Sequence, residues 1–545
     1  MIDIWEQVVA GATCRRVLVT CSRGVRRAIG AACSVKNWKS LRRPLIDLGT
    51  QLAPIVATLV ERILLTALVV QRLGVERFEM WSLILATVTI LTLVDLGTRI
   101  TFSNRMSAAA NRGDVARAIL VYRESNTIFL GLGALIFGLT LVFAFWTPVQ
   151  QLLGFDRPLD RSEQAVAACL GLGIAVRMAL ANASAVYRVN LAFARGTVIV
   201  AASELARAMA MVVAVIVWPS LLSPAIATAA VSVAAFGILI PIDLARSYGD
   251  YKLAFNRPTA ISLHRALPES AMFATSYLPN VVLVQIPVML VGSRSASGVL
   301  AAFVLMRTIA NSLRSLTQSF LGVIGMELGR LESQGRMGEL RVAYSRLSLL
   351  VSISFGAISG FAWSWGDMLV AWWTGRPELF DSTLLAIMLA PLVITPVAQL
   401  TIPFLTYAHR PERVAASIVA EVLAVILLAF AIPVQSIAMR VSLAISGGEI
   451  LALAPIAYAS ANQIVGGKLT RFATINIIVS LGTAGAVGAV VMLVRIWSDS
   501  AIGLFCSAFP IAVLVGAPTA LLMVRFVGSM RDSRRNHDMT APTAP

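Results

Sequence analysis

Residues 301–320 read AAFVLMRTIANSLRSLTQSF, a stretch of membrane-spanning length that carries two arginines, Arg307 and Arg314. A charged side chain at the centre of a bilayer costs roughly 2.5–3.5 kcal/mol even on the milder insertion scale. Such arginines are expected to face a protein interior or a wet cavity, and a cavity lined with guanidinium groups suits an anion. Three further arginines lie in apolar segments and extend this expectation to a cargo that bears a phosphate or another negative group: Arg62, Arg177 and Arg207.

The composition is that of a membrane protein. Of the 545 residues, 58% are hydrophobic and only 13% are charged, whereas soluble proteins have about 25% charged residues. A run of about 20 apolar residues spans a bilayer. The sequence therefore predicts an all-α polytopic membrane protein with about 14 transmembrane helices, at approximately 45–70, 80–100, 125–147, 164–186, 197–218, 224–245, 268–291, 298–320, 347–370, 382–405, 414–434, 438–459, 472–494 and 501–524.

Charge predicts the orientation of these spans. Lysine and arginine are concentrated in the two tails and in the even-numbered loops, so the positive-inside rule places both termini in the cytoplasm. The basic N-terminal extension (1–43) and the tail (526–545) would lie on that side. The net charge of +17 then reflects topology and attraction to anionic membrane lipids, and it does not indicate a nucleic-acid partner.

The two halves of the chain look related. SNRMSAAANRGDVARAILVYRESN follows the second span, and GMELGRLESQGRMGELRVAYSRLS follows the eighth. Gly113 and Tyr122 match Gly335 and Tyr344 at a constant offset of 222 positions. A repeat of six spans keeps its orientation, which predicts two parallel six-helix bundles (44–265 and 266–460) with cargo bound between them. Two additional helices would follow at 461–525.

The sequence argues against cofactors and against enzymatic chemistry. The five cysteines show neither CxxC spacing nor histidine neighbours, and GxxxxGK[ST] does not occur, so no metal, redox or ATP site is expected. A polysaccharide polymerase or glycosyltransferase would need a cluster of catalytic carboxylates or histidines, usually on a sizeable loop. No such loop is predicted, so the only cofactor expected is a coupling H⁺ or Na⁺ ion.

Three strings resemble the polysaccharide flippases, or O-antigen translocases, of the MATE-like superfamily. They are LGVERFEMWSLILATVTILTLVDLG (73–97) with its basic follower, AAFVLMRTIANSLRSLTQSF (301–320), and DMLVAWWTGRP (367–377). The resemblance implies a bacterial inner-membrane protein with a central cavity. It also implies a polyprenyl-diphosphate-linked oligosaccharide as cargo, and partners such as a polysaccharide polymerase and assembly proteins. Glu79 departs from the family, which commonly has a small residue there.

Span 1 carries a polar stripe that includes Asp47, Gln51, Glu61 and Arg62, with spacings that fit one helical face. One interpretation is a cavity wall on which Arg62 contacts the diphosphate while Glu61 or Asp47 balances its charge. The alternative is an ion pair, either Glu61 with Arg62 or one between helices, that only orients the span.

Span 8 repeats this pattern with Arg307, Asn311, Arg314 and Gln318 at spacings of four, three and four. The planar fork of arginine can donate two parallel hydrogen bonds to a phosphate, and the two amides could recognise sugar hydroxyls. The alternative is packing against neighbouring helices. Span 7 offers Asn280 as a further polar contact for the cargo.

In span 2, Asp95 and Arg99 stand four positions apart. They predict either an intrahelical ion pair or an ion-coupling carboxylate beside an arginine that meets the diphosphate. Glu421 and Glu449 lie in spans 11 and 12 without an obvious local arginine, so they are candidates for ion coupling or for neutral hydrogen-bonding acids. A structural role is expected for a last group of charges: Arg177, Glu204 and Arg207.

Together these patterns predict a flippase that moves a polyprenyl-diphosphate-linked oligosaccharide by alternating access and changes no chemical bond. The alternative is a cation-coupled exporter of drugs or small metabolites from the same superfamily. Cationic drugs would favour acidic cavities, whereas the charged spans here are rich in arginine.

Overall fold

The computed structural model describes residues 61–95, 97–190, 192–258, 268–270, 279–408, 410–465 and 469–497. Asp47, Gln51, the basic extension and the fourteenth predicted span lie outside these ranges. Within them all regular structure is helical. Long apolar runs favour helices because a helix satisfies its own backbone hydrogen bonds within hydrocarbon.

The α-helices, numbered here in chain order, are α1 (Thr66–Leu73), α2 (Val75–Ile90), α3 (Thr98–Asn111), α4 (Val115–Phe145), α5 (Thr147–Leu152), α6 (Arg161–Ala179), α7 (Ala183–Val189), α8 (Phe193–Val217), α9 (Leu222–Ser232), α10 (Ile240–Ser247), α11 (Ile286–Gly292), α12 (Val299–Ser333), α13 (Met337–Thr374), α14 (Ser382–Ile394), α15 (Pro396–Tyr407), α16 (Pro411–Ala431), α17 (Ile437–Gly448), α18 (Ala454–Val465) and α19 (Leu469–Trp497).

The described residues contain nine helices that are long and apolar enough to cross a membrane, or ten if the bent pair α14 and α15 forms one span. That pair bends by 59° at Thr395, where Pro396 follows. The all-α polytopic fold is thereby confirmed. The count of fourteen stays a prediction, because part of the chain lies outside the described ranges.

The predicted repeat has the same turn in both halves. Gly113 and Gly335 both have positive φ angles, 79° and 70°. In each turn the glycine N–H donates to the carbonyl three residues earlier, and the next N–H donates to the carbonyl five residues before it. Tyr122 and Tyr344, nine positions after each glycine, are both buried. The 222-position offset therefore relates equivalent backbone positions, while the bundle boundaries stay a prediction.

The halves differ just before this turn. In the first half the helix is interrupted by a 3₁₀ segment, Leu91–Asp95, and by Gly97, whose φ is 77°. In the second half α12 runs without a break for 35 residues. Glycine permits the left-handed backbone at the interruption because it has no Cβ.

Four π-helical turns also fall in matching pairs. Glu61–Leu65 corresponds to Pro279–Gln285, and Val233–Leu239 corresponds to Glu449–Leu453. The members of each pair are separated by about the length of the repeat. A π turn leaves backbone carbonyls away from the regular helical ladder and is often found at functional sites. Three of these turns, all except Val233–Leu239, carry residues of the site described below.

The thirteenth predicted span, α19, packs along α13 through small residues. A Cβ placed on Gly356 would lie 2.2 Å from the Ser480 carbonyl oxygen. A Cβ placed on Gly360 would lie 2.2 Å from the Ala484 carbonyl oxygen. Such close backbone approach is typical of helix pairs in membranes.

At one end of the molecule the first half contacts the second through hydrogen bonds. The Glu79 carboxylate accepts from the backbone N–H groups of Gly298 (2.9 Å) and Ala301 (3.0 Å), and so caps α12. Nearby, the Trp373 indole N–H donates to the Ile63 carbonyl, and Gln71 donates to the Trp373 carbonyl. The residue that departs from the flippase pattern therefore joins the two halves.

Candidate cargo-binding site

Arg307 lies on α12 with 9% of its surface exposed. Its guanidinium donates to the backbone carbonyls of Val284 (2.8 Å) and Leu283, both within the π turn Pro279–Gln285. The guanidinium also lies over the ring of Phe303, 5.6 Å from its centroid. These partners are dipoles and a ring face, so no carboxylate among them neutralises the charge of Arg307.

Two further arginines act on Arg307. The charges that influence it are those of Arg62 and Arg314, and both are positive. Arg62 is exposed and makes no ion pair with any residue in the described part of the chain. The structure thus brings together three of the arginines that the sequence proposed as anion ligands. We call Arg62, Arg307 and Arg314 the arginine cluster.

Arg314 differs from the other two because it has a carboxylate partner. Its guanidinium donates to Glu449 at 2.8 Å, while Gln399 donates to the other oxygen of the same carboxylate at 2.5 Å. Glu449 is 2% exposed. The sequence shows no local arginine for Glu449, and its partner stands 135 positions away and is brought to it by helix packing. Its candidate role in ion coupling stays a prediction.

Glu421 lies beside this pair. Val425 and the Glu421 carbonyl pack directly on Gly448, where a Cβ would lie 2.4 Å from the valine side chain. The charges that act on Glu421 are those of Glu449 and Arg314. Glu421 is 5% exposed and makes no hydrogen bond or ion pair to the residues that the structure describes. It is therefore a buried carboxyl group beside an ion pair that is already complete.

The amides predicted on α12 are placed differently from each other. Asn311 is half-buried and Gln318 is exposed, and neither side chain bonds to another described residue. Asn280 belongs to the π turn beside Arg307, but its side chain lies outside what the structure describes. Sequence reasoning missed Gln399, whose signal is the one amide in the mostly apolar α15.

A cavity of about 400 Å³ opens within the first half. Its polar lining is Glu61, Thr89, Thr92, Asp95, Arg99, Arg177, Arg207 and Thr228, and its apolar lining is Leu85, Leu170, Ile174, Met178, Ala181 and Met211. We call it the first-half cavity. It contains most of the charged residues predicted in spans 1, 2, 4 and 5.

A chain of ion pairs forms one part of its wall. Arg207 donates two hydrogen bonds to Glu61, at 3.0 and 2.5 Å, and two to one oxygen of Glu204, at 3.1 and 2.9 Å. Glu204 also accepts from Arg177 at 2.5 Å. The alternative of an interhelical ion pair in span 1 is thus the one found. Glu61 pairs with Arg207 rather than with Arg62, and its candidate role in ion coupling stays a prediction.

Asp95 and Arg99 do not form the intrahelical ion pair that their spacing suggested. One Asp95 oxygen accepts from the Arg99 backbone N–H at 3.1 Å and from the Thr98 hydroxyl at 2.5 Å. The Arg99 guanidinium instead donates to Ser184 at 3.4 Å. The physical reason is the interruption at Gly97, which removes the continuous helix assumed by a four-residue spacing.

The fold is that of known transporters. The lipid II flippase MurJ in an inward closed conformation superposes with a TM-score of 0.59 at 13% identity, covering 86% of this chain and 97% of MurJ. An inward-facing multidrug resistance MATE family transporter of the MOP superfamily gives 0.58 at 15% identity, covering 78% and 99%. A mutant of the Vibrio cholerae MATE transporter VcmN gives 0.52 at 15% identity, covering 78% and 98%.

No protein-family model and no curated protein matches the chain. The structural likeness confirms the MATE-like fold expected from the three sequence strings and a multi-pass membrane protein. By their descriptions, these structural neighbours are transporters and a flippase.

Proposed function

We propose that this protein is a flippase that moves a polyprenyl-diphosphate-linked oligosaccharide across a bacterial inner membrane by alternating access. The observation that carries the proposal is the arginine cluster, in which Arg62 and Arg307 have no carboxylate partner within the described ranges. Like charges held close together repel one another, and an anion with several oxygens relieves that repulsion. A diphosphate offers such oxygens in the geometry that guanidinium forks match.

Transport in this proposal breaks no bond in the cargo. The diphosphate binds the arginine cluster, the two halves rock, and the saccharide emerges on the far side while the prenyl chain remains in lipid. Both termini would be cytoplasmic, as the distribution of basic residues predicts. A polymerase and assembly proteins would then consume the exported unit.

An ion gradient would supply the energy, and Glu421 is the carboxyl group best placed to bind the coupling H⁺ or Na⁺. The predicted coupling residues Glu61 and Glu449 already have arginine partners, and one oxygen of Asp95 caps a helix. Asp47 lies outside the described residues. Glu421 is buried without a direct partner among those residues, so binding a cation there would change its interaction with Glu449 and Arg314.

The second candidate is a cation-coupled exporter of drugs or metabolites, which the fold of multidrug MATE transporters supports. The charge of the arginine cluster disfavours it for cationic drugs. The two functions differ in the sign of the cargo charge, so they can be separated by experiment.

The test uses a deletion strain complemented at matched expression with wild type or with Arg62→Gln plus Arg307→Gln. These two arginines are chosen because removing them leaves no buried carboxylate without its partner among the described residues. We expect the variant to accumulate the lipid-linked saccharide in the inner leaflet and to lose surface polysaccharide. Arg117→Gln, at an exposed arginine of α4, is the matched control and should complement fully.

If deletion changes neither the lipid-linked saccharides nor the surface polysaccharide, the proposed cargo is wrong. If in addition the deletion strain becomes sensitive to cationic drugs, the exporter replaces the flippase as the leading function.

A further inference from the structure

The first-half cavity is separate from the arginine cluster but adjoins it. Glu61 lines the cavity, whereas Arg62, the next residue, acts on Arg307. Both belong to the π turn Glu61–Leu65. A wall residue of the cavity and a member of the arginine cluster are therefore consecutive residues of one turn.

The charges of this cavity compensate one another. The lining includes three guanidinium groups, of Arg99, Arg177 and Arg207, and two carboxylates, of Glu61 and Asp95. Glu204, which pairs with both Arg177 and Arg207, completes the balance. A cavity with balanced charges gives an anion no net attraction. It does offer donors and acceptors together, which is the pattern that a hydroxyl group can satisfy in both directions.

The repeat supports this contrast between the two sites. Moved forward by 222 positions, Leu85, Thr89 and Thr92 correspond to Arg307, Asn311 and Arg314. The first three line the cavity. The same helical face thus presents guanidinium groups in the second half and hydroxyl and apolar groups in the first. Threonine hydroxyls bonded to their own helix, as Thr89 is to Leu85 and Thr92 to Thr89, still have lone pairs that accept from a ligand.

Several polar atoms of the lining remain available. One Asp95 oxygen accepts hydrogen bonds from the Thr98 hydroxyl and the Arg99 backbone N–H. The other oxygen accepts none from the described residues. The volume of about 400 Å³ falls within the range of about 300–1,000 Å³ typical of small-molecule pockets. Met178, Met211 and Leu170 supply the apolar surface on which a sugar ring can pack.

We infer that the first-half cavity is the saccharide subsite, which binds the neutral, hydroxyl-rich sugar next to the diphosphate. The inference rests on the proposed function, because it assigns the cargo's diphosphate to the arginine cluster and its first sugar to the cavity. Cargo specificity would then lie in the first half, and affinity for any prenyl diphosphate would lie at the junction of span 1 with α12.

The test measures the binding of two probes to the full-length protein by native mass spectrometry. One probe is undecaprenyl diphosphate without sugar, and the other is the pool of undecaprenyl-diphosphate-linked saccharides extracted from the native host. The key variant is Thr89→Leu, which fills the cavity beside Leu85 and Leu170. The matched control is Thr474→Leu, at an exposed threonine of α19 that makes the same bond to its own helix.

We expect Thr89→Leu to weaken binding of the saccharide-bearing lipids about tenfold, which corresponds to the loss of one or two buried hydrogen bonds. The affinity for undecaprenyl diphosphate should change by less than about twofold, because this probe has no sugar to bond with Thr89. Arg62→Gln plus Arg307→Gln should weaken both probes together. Thr474→Leu should change neither.

The outcomes separate the two ideas. If Thr89→Leu leaves saccharide binding unchanged while the arginine variant weakens both probes, the subsite is wrong and the flippase proposal stands. If wild type binds neither probe, or if the arginine variant changes neither, the proposed function fails and the subsite fails with it.

Thr92→Val provides a second variant in case Thr89→Leu disturbs folding, because valine keeps the shape of threonine and removes only the hydroxyl. A selective loss of saccharide binding supports the subsite. An equal loss of both probes, or no loss of either, overturns it.

Discussion

Glu449 is held through both oxygens of its carboxylate. Arg314 of α12 donates to one and Gln399 of α15 to the other. Removing one partner of a buried ion pair leaves an uncompensated charge, at about 3–5 kcal/mol when both groups are fully buried. Arg314 is 25% exposed, so water would reduce this cost.

We therefore expect Arg314→Ala to lower the free energy of unfolding by roughly 2 kcal/mol. Adding Glu449→Gln should restore most of that stability, because the second substitution removes the orphan charge. The measurement is thermal unfolding in detergent of the two single variants and the double variant. Additive losses in the double variant would show that the two side chains do not depend on each other.

Glu421 carries the prediction for ion coupling. Glu421→Gln keeps the shape and removes the ionisable group, so the protein should fold normally but lose the dependence of lipid translocation on the ion gradient. Flipping by the protein in vesicles, with and without an imposed pH or Na⁺ gradient, measures this dependence. A variant that responds to the gradient as wild type does would remove Glu421 from the coupling mechanism.

At the scale of the element, the pair α13 and α19 depends on two glycines. A Cβ on Gly356 would lie 2.2 Å from the Ser480 carbonyl oxygen, a distance at which the helices must separate, and Gly360 is placed in the same way. Gly482, on the second of these helices, has nothing within 4 Å of the equivalent position. Gly356 and Gly482 therefore form a matched pair in which only the first supports close packing.

We expect Gly356→Ala to destabilise the protein by about 1–3 kcal/mol, the usual cost of overpacking. Gly482→Ala should be neutral or stabilising by up to about 1 kcal/mol, because alanine is the better helix former. Thermal unfolding of both variants in the same detergent provides the comparison. Equal effects at the two positions would contradict the close contact between these helices.

Sequence reasoning succeeds for elements and for the faces of single helices. Hydrophobic runs located the spans, and helical spacing placed Arg307, Asn311 and Arg314 on one stripe because those signals are local. Partners across the fold were not predictable: Glu61 meets Arg207 from 146 positions away. The interpretation of Asp95 and Arg99 as an intrahelical ion pair was wrong because it assumed a continuous helix, although Gly97 lies between the two residues.

At the scale of the whole molecule, Glu79 marks an end where the two halves are joined. It caps α12 from α2, so in the proposed alternating access this contact would break whenever that end opens. Removing a helix cap costs about 0.5–2 kcal/mol. An equilibrium between two conformations shifts about twofold to thirtyfold over that range, because about 1.4 kcal/mol is a factor of ten.

We expect Glu79→Ala to raise the population that is open at this end by such a factor. Spin labels at Leu152 and Glu378, both exposed, would report the distance between the halves once the five native cysteines are replaced. Glu79→Gln, which retains an acceptor oxygen, should lie between the alanine variant and wild type. Identical distance distributions in all three proteins would show that the cap does not hold this end closed.

The unbroken length of α12 has a mechanical consequence. At about 1.5 Å per residue its 35 residues form a rod of about 52 Å, which exceeds the hydrocarbon thickness of about 30 Å, so both tips reach water. Glu79 holds one tip, and Glu332 near the other pairs with Arg410. Of the two arginines of the cluster on this helix, Arg314 lies near its middle, and Arg307 lies between the middle and the tip that Glu79 caps. A tilt of a few degrees about the middle of α12 would move its two tips in opposite directions and would move Arg314 least.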